Sequence, residues 1–508
     1  MNNFGNKNFV SRQGADFSTD KAFMDASVVV RSDKEQLTYS GIVLDRVSDN
    51  EVATSSEEKH CFIVGDTGCG KTRRLIIPSI LLMGKSGESM VISDPKGELY
   101  RKTSGALRNH GYDIKVVNMR SPSRGQRWNP FSKVEKLYHS KSEEDRDMAA
   151  LVLEDIIEVI HAQQRSLHDP YWDNIAIAFI KALVYIILEH GDPGQLSFAN
   201  IATLEREVAY IMRSEPERLD TYFENLPRDS VIKQNLSSMI SLMNANVDST
   251  LGCALSTAEV ILAQYTRQKT VQSLLSTSDF DIADMVKRAT VLYIILPDDS
   301  EVFYPLATLM VKQIYSTFIN IADNLGSEVP NKVSFILDEF ANFTRLESIG
   351  SMLTASRSRG IRFILVCQNV GQLEEKYGKY GAETIRSNCR IWVYMGSRNL
   401  SFLKMLQELS GIHIEKYGGG MYPLMDIDML QRLKMGEVFV WNDRCSPKLC
   451  FLSDYSEYDF GVDFIREVEL PKYRRNEEPV FFDFQEKVLG KSGVCLSDLD
   501  LYTNHDNK

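Results

Sequence analysis

The chain has 508 residues, 43% hydrophobic and 25% charged, which is globular composition but too long for one ordinary domain. A formal charge of −11 excludes a surface that is basic overall, so contact with nucleic acid would need a local basic lining. Eight cysteines, without Cys-x-x-Cys pairs or a histidine cluster, argue against a zinc module and fit the reduced thiols of a cytosolic protein.

Residues 1–57 are polar, with short strand-like runs at SVVV and GIVL and no apolar leader. From residue 58 the texture changes. CFIVG (61–65) leads into a glycine loop, and RRLIIPSILLMG reads as a helix despite Pro78. SMVISD (89–94) and DIKVVNM (113–119) read as further buried strands, with a helical pattern between them. Strand, glycine loop, helix, strand, helix, strand predicts a parallel sheet covered on both faces over 58–134.

At about residue 135 helical patterns take over and run to 278. Ser142-Glu143-Glu144-Asp145 resembles a capping box, with Met148, Val152, Ile156 and Ile160 behind it at helical spacing. The most apolar window, residues 175–188, is short for a membrane span and carries Lys181, so it predicts a buried helix. No other run is long enough to span a membrane. Strands resume over 279–484: ATVLYIIL, KVSFILDEF, RFILVCQN, RIWVYMG and EVFVW. The expected fold is α/β, a parallel sheet completed after an inserted all-α domain (135–278), with an exposed tail over 485–508.

The glycine loop, Gly65-Asp66-Thr67-Gly68-Cys69-Gly70-Lys71-Thr72, fits G-x-x-x-x-G-K-[ST] between a strand and a helix. Glycines let backbone N–H groups turn toward phosphates, where a Cβ would block the approach. Lys71 suits the β- and γ-phosphates of ATP, and the Thr72 hydroxyl suits Mg²⁺. Asp338 and Glu339 close an apolar strand. The first is the candidate second metal acid and the second the candidate base that polarises the attacking water. Gln368 ends the next strand and is the candidate γ-phosphate sensor. TASRSRGIR, between those strands, holds Arg357, Arg359 and Arg362. They are either a solvated basic loop or, for Arg357 and Arg359, an arginine supplied across a subunit interface to the γ-phosphate. Arg120, Arg124 and Arg127 form a second basic patch, readable as a solvated loop or a DNA contact.

Together GDTGCGKT, DPKGELY (94–100), WNPF (128–131), DPYWDNIA (169–176), ILDEFANF (336–343), SRSRGIRFILVCQNVGQL (356–373) and IRSNC (385–389) resemble the type IV secretion coupling proteins. These are the TraG/TraD-like ATPases of conjugation, within the HerA/FtsK group of P-loop motors. The resemblance implies a RecA-like nucleotide domain with an all-α insertion and a hexameric ring with ATP sites between subunits. It implies delivery of single-stranded DNA, or a relaxase–DNA complex, to a secretion channel. Asp94, Lys96 and Glu98 match the family's second signature. Such proteins usually carry N-terminal transmembrane helices. This chain shows none, which implies a membrane-anchoring partner and a cytoplasmic place, peripheral at the inner face of the membrane, or work in the cytosol. Two other functions stay open: an ATP-gated docking platform for protein cargo, and a soluble HerA-like motor in genome handling or defence.

Overall fold

The computed structural model describes residues 15–56, 59–161, 170–245, 247–414, 420–461, 467–470 and 481–489. The chain divides into two compact units. One comprises residues up to Val116, Ile282–Asp299 and Ile314–Glu469; the other comprises Val117–Asp281, Ser300–Gln313 and the residues from Leu470 on.

The first unit opens with a small antiparallel sheet of β1 (Ser27–Arg31), β2 (Val43–Arg46) and β3 (Glu51–Ser55), in the order β1-β3-β2. The large sheet is built from β4 (Cys61–Val64), β5 (Ser89–Asp94), β6 (Asp113–Asn118), β7 (Thr290–Ile295), β8 (Val333–Leu337), β9 (Ile361–Cys367) and β10 (Ile391–Tyr394). A hairpin of β11 (Ile412–Ile414) and β12 (Met421–Pro423) stands apart, and β13 (Glu437–Asn442) and β14 (Lys448–Phe451) complete the large sheet. The order is β14-β13-β10-β4-β9-β8-β5-β7-β6. Strands from β10 to β7 pair in parallel, whereas β13 and β14 add an antiparallel edge. Every residue of β4, β5, β7, β8 and β9 is buried, which is why these strands read as unbroken apolar runs rather than alternating ones.

The helix after the glycine loop tolerates Pro78 for a local reason. Lys71–Ile76 forms a π-helical turn, with Ile77 N–H donating to the Thr72 carbonyl. The α-helical part, α1 (Ile77–Lys85), starts only there, so Pro78 falls in its first turn where a missing N–H costs little. The crossover from β5 to β6 is α2 (Glu98–Asn109).

Helices dominate the second unit: α3 (Glu143–His161), α4 (Pro170–His190), α5 (Phe198–Ser214), α6 (Val231–Asn244) and α7 (Asp248–Thr266) among them. Ser142 caps α3 by accepting from the Asp145 N–H, and Val152, Ile156 and Ile160 face inward. The Asp145 carboxylate accepts from Ser140 Oγ instead of reaching back to Ser142, so the capping box is only half made. The apolar helix α4 is long and apolar enough to cross a membrane, yet two-thirds of that stretch (67%) is buried within the protein, with Ala176, Phe179, Leu183 and Ile186 fully covered. Both α6 and α7 pack against it.

WNPF proves to be the knot of this unit. Trp128 and Phe131 are buried, and Phe131 meets Phe198 edge-on at 4.9 Å. Asn129 Nδ2 donates to the carbonyls of Leu196 (2.7 Å) and Ser276 (3.3 Å), and Pro130 O accepts from Gln313 Nε2 at 2.9 Å. Segments far apart in sequence therefore close on four residues. Two further stretches join the helices. Lys312 pairs with Asp155 (2.9 Å) and Glu158 (3.2 Å), and Phe484, fully buried, meets the Tyr222 ring. Of the tail expected to be exposed, only 485–489 lie within the described residues.

Candidate functional site

The strand order places the C-terminal ends of β4, β9, β8 and β5 side by side on one edge of the sheet. At β4 that edge carries the glycine loop. Gly65 N–H donates to Cys367 O (3.2 Å), Asp66 N–H donates to Gly396 O (3.0 Å), and Asp66 Oδ2 accepts from the Arg398 N–H at 3.1 Å. The loop is thus pinned to the ends of both neighbouring strands. Gly68 and Gly70 have φ of 83° and 92°, which a side chain would strain. A Cβ on Gly65 would lie 2.5 Å from Cys69 Sγ. Thr67 and Gly68 are exposed at the tip, and Thr72 is half-buried in the first turn behind it. Lys71 is nearly buried, and its ammonium donates to the carbonyls of Gly65 and Asp66 (3.1 Å to the latter).

Two strands away, Asp338 and Glu339 follow β8. Burial and the adjacent Glu339 charge push the Asp338 carboxyl up to about 7, with Asp94 adding to the rise and Lys71 opposing it. A buried acid that resists ionisation alone is suited to a cation that restores its charge. Glu339 sits in the left-handed region at φ 56°, a conformation that costs a non-glycine residue about 1–2 kcal/mol. The turn is held by Glu339 N–H to Asp338 Oδ1 (3.1 Å) and by Asn342 N–H to Glu339 O (2.8 Å). It aims the carboxylate along the sheet edge. There Oε1 accepts from Gln368 Nε2 at 2.5 Å and Oε2 accepts from Asn342 Nδ2 at 3.2 Å. Gln368 Oε1 in turn accepts from Thr67 Oγ1 at 2.8 Å. A continuous line therefore runs from the glycine loop through Gln368 to Glu339. Asn342 is the member that sequence reading missed; its only signal was a polar residue three positions after Glu339.

Asp94 closes β5 on the same edge. It is buried, and Oδ2 accepts from the Tyr100 N–H at 2.8 Å, capping the start of α2 after Gly97 (φ 65°). Burial raises its carboxyl above the usual range, while the N–H groups of Tyr100, Leu99 and Lys96 and the charge of Arg101 offset part of the rise. Lys96 is exposed and Glu98 half-exposed.

The basic loop lies elsewhere. Arg357 and Arg359 form a 3₁₀ turn before β9, so they occupy the opposite edge of the sheet from Gly65–Thr72 of the same chain. Arg359 pairs with Asp323 (2.8 Å) and donates to Ala355 O (2.9 Å). Arg362, counted with them in sequence, belongs to the core. It is 2% exposed, bridges Glu88 at 2.6 Å and donates to Ser334 Oγ and Ser40 O. In the second basic patch, Arg127 grips Asp279 through two nitrogens and so fastens its loop, whereas Arg120 and Arg124 are exposed.

Comparison with known proteins agrees with this architecture. The family described as type IV secretory system conjugative DNA transfer matches residues 13–412. The conjugal transfer protein TraG of Escherichia coli is 26% identical over 370 residues, covering 70% of this chain and 55% of the relative. VirD4 of Rhizobium radiobacter is 24% identical, covering 68% of this chain and 47% of its own length. The chain thus spans about half the length of these curated relatives. Among solved structures, plasmid coupling protein TrwB in complex with the ATP analogue ADPNP superposes with a TM-score of 0.62 at 16% identity, over 90% of this chain and 97% of TrwB. TrwB in complex with ADP and Mg²⁺ gives 0.59 at 18% identity, over 87% and 94%. The fold is that of TrwB, a mostly parallel α/β sheet with a helical unit, and the chain belongs to the type IV secretory system conjugative DNA transfer family.

Proposed function

We propose that this chain is an ATP-driven DNA-translocating motor that recruits single-stranded DNA, or a relaxase–DNA complex, to a type IV secretion channel. The observation that carries the reading is the line Thr67–Gln368–Glu339. A platform that only bound nucleotide would have no need of a strained carboxylate tied to the phosphate loop. A hydrolytic site needs that tie, because the water-orienting acid must sense what the loop holds.

The residues present fit ATP and Mg²⁺, and the TrwB complexes are named for the ATP analogue ADPNP and for ADP with Mg²⁺. The left-handed glycines Gly68 and Gly70 leave room for phosphates to approach the backbone, and Lys71 would exchange its carbonyl partners for the β- and γ-phosphates. The Thr72 hydroxyl and the Asp338 carboxylate would hold the metal. Mg²⁺, when bound, draws negative charge off the phosphates. Glu339 orients the attacking water, and Gln368 links its position to the loop. Arg357 and Arg359, remote from this site within one chain, act across the interface of a ring, most simply a hexamer. Such a ring would work at the inner face of the membrane through an anchoring partner.

The test is ATP turnover with and without single-stranded DNA over a salt series. DNA should stimulate hydrolysis, and the stimulation should fall steeply as salt rises, because a chain of charge −11 can hold phosphates only through a local basic lining. A robust basal rate that DNA leaves unchanged would favour the docking platform.

A further inference from the structure

On the side of the glycine loop away from Gln368 and Glu339, the segment leaving β10 carries an arginine whose side chain has nothing to hold. β10 is the parallel neighbour of β4, with Tyr394 beside Val64, so its C-terminal end meets the glycine loop of the same chain. Met395 N–H continues the pairing by donating to Val64 O at 2.8 Å. The next residue, Gly396, has φ 109°, and its carbonyl accepts from the Asp66 N–H at 3.0 Å. Two residues on, the Arg398 N–H donates to Asp66 Oδ2 at 3.1 Å. Main-chain groups of this segment thus grip Asp66 twice.

The segment is braced on its other sides too. Ser397 N–H donates to Tyr394 Oη at 2.9 Å. Asn399 caps the helix Leu400–Ser410 by accepting from the Phe402 N–H at 3.1 Å, and its Nδ2 donates to Asn369 Oδ1 at 3.3 Å. Asn369 follows Gln368, so residues 396–399 touch both the glycine loop and the end of β9. The Arg398 backbone is therefore fixed relative to the glycine loop.

Its side chain takes no part in this bracing. It is exposed, and among the described residues it makes no hydrogen bond and no ion pair. Even the Asp66 carboxylate is left to the main chain. The basic residues just after the loop behave differently. Arg73 grips Asp454 through two nitrogens at 2.8 and 2.9 Å, and Arg74 donates to Leu452 O at 2.9 Å. An unengaged guanidinium on a braced backbone is partly preorganised for an incoming ligand, and its planar fork matches a phosphate. Its charge also offsets that of Asp66, which alone would repel phosphates seated at the loop.

We propose that Arg398 contacts a phosphate of the nucleotide held by the glycine loop of its own chain. This role rests on the ATP site proposed above. It differs from that of Arg357 and Arg359, which lie at the opposite edge of the sheet. The phosphates would be met from two sides, by Gln368 and Glu339 after β9 and β8 and by Arg398 after β10.

Arg398→Ala, Arg398→Glu and Arg398→Lys all keep the main-chain N–H that binds Asp66, so all three should melt at the wild-type temperature. Affinities for fluorescent analogues of ATP and ADP, and turnover without DNA, are measured for these variants, the wild type and Lys71→Ala. ATP affinity should fall about tenfold or more in Arg398→Ala, as a charged hydrogen-bonded contact is lost, and further in Arg398→Glu. Arg398→Lys keeps the charge without the fork and should recover part of the loss. ADP locates the contact: its affinity is unchanged if Arg398 meets the third phosphate and falls alongside that of ATP if it meets an inner one. Wild-type ATP affinity in both Arg398→Ala and Arg398→Glu overturns the proposal, whatever happens to turnover; a loss confined to single-stranded DNA binding would assign the cation to the nucleic acid instead. Recovery of turnover on mixing Arg398→Ala with Lys71→Ala, with co-assembly confirmed by light scattering, also overturns it, because the contact then crosses to a neighbouring copy. Beside either result, a Lys71→Ala that fails to bind ATP leaves the glycine-loop reading standing. A Lys71→Ala that binds and hydrolyses ATP like the wild type removes that reading and the Arg398 contact with it.

Discussion

Two strand–turn–helix units share one edge of the sheet and differ in a single decisive respect. The first runs from β4 through Gly65-Asp66-Thr67-Gly68 toward α1. The second runs from β5 through Asp94-Pro95-Lys96-Gly97 into α2. Both turns place a left-handed glycine four residues in, Gly68 at φ 83° and Gly97 at φ 65°. Where the second has the carboxylate of Asp94, the first has Gly65, which has no side chain. Asp94 takes up the N–H groups at the start of α2, so that helix terminus carries its own anion. The glycine loop supplies none and inserts Cys69 and Gly70 before its helix, leaving its donors for an outside anion. Helix N-termini attract negative charge in either case. What separates the structural turn from the proposed phosphate site is whether the sequence fills the seat itself.

The comparison is broken most severely at Lys71. Lys71→Ala removes the charge that we propose faces the phosphates and that has no buried counterpart in the second turn, where Lys96 is exposed. ATP binding should weaken and turnover fall by about 10³-fold, as when other phosphate-clamping cations are lost. Equilibrium binding of a fluorescent ATP analogue, alongside phosphate release, checks both. Glu339→Gln comes next and should split these readouts. The amide keeps the shape but loses the carboxylate we propose orients water, so binding should persist while turnover falls by about 10². Wild-type turnover in Glu339→Gln would remove Glu339 from the mechanism.

Much of this was readable before any coordinates, and the residues show why. β4, β5, β7, β8 and β9 are buried on both faces, so their apolar runs identify them and the strand–helix alternation gives the fold class. β3, EVATS, escaped notice because it has two polar residues and a glutamate within five positions. The antiparallel edge β13-β14 was half visible, since β14 is short and mostly uncovered. Within the site, sequence placed Asp338, Glu339 and Gln368 at strand ends, but strand order alone shows that β9 stands between β4 and β8 and lets Gln368 reach both neighbours. Arg362 misled for the opposite reason. Its partner Glu88 lies 274 residues away, and no local pattern distinguishes a buried ion pair from a solvated basic loop.

The second turn gives smaller effects, expressed as stability. Asp94→Ala strips the acceptor from the buried N–H of Tyr100, and an unsatisfied buried amide costs about 1–3 kcal/mol. The urea midpoint should fall accordingly. ATP affinity, measured below that midpoint, should change far less than in Lys71→Ala. If affinity collapses instead, the two turns are not independent and the comparison fails.

Asp94→Asn should have the smallest effect, and its dependence on pH is the sharper test. The Asn carbonyl oxygen can still accept from Tyr100, so the seat stays filled without a charge. Burial raises the Asp94 carboxyl above its ordinary value, which means the folded chain keeps a proton that the unfolded chain has already lost. Stability from this group is therefore present at low pH and is lost as pH rises through the folded-state value. Asparagine has no such proton to lose. Stability of Asp94→Asn should lie within about 1 kcal/mol of the wild type at acid pH, where the folded and unfolded wild-type chains both hold the proton, and gain on it as pH rises, as read from paired urea titrations. A variant that loses ground as pH rises would show that the helix terminus needs a charge rather than an oxygen. In that case β5 carries an anion site as demanding as the one at β4, and the difference between the two turns would lie only in where the anion comes from.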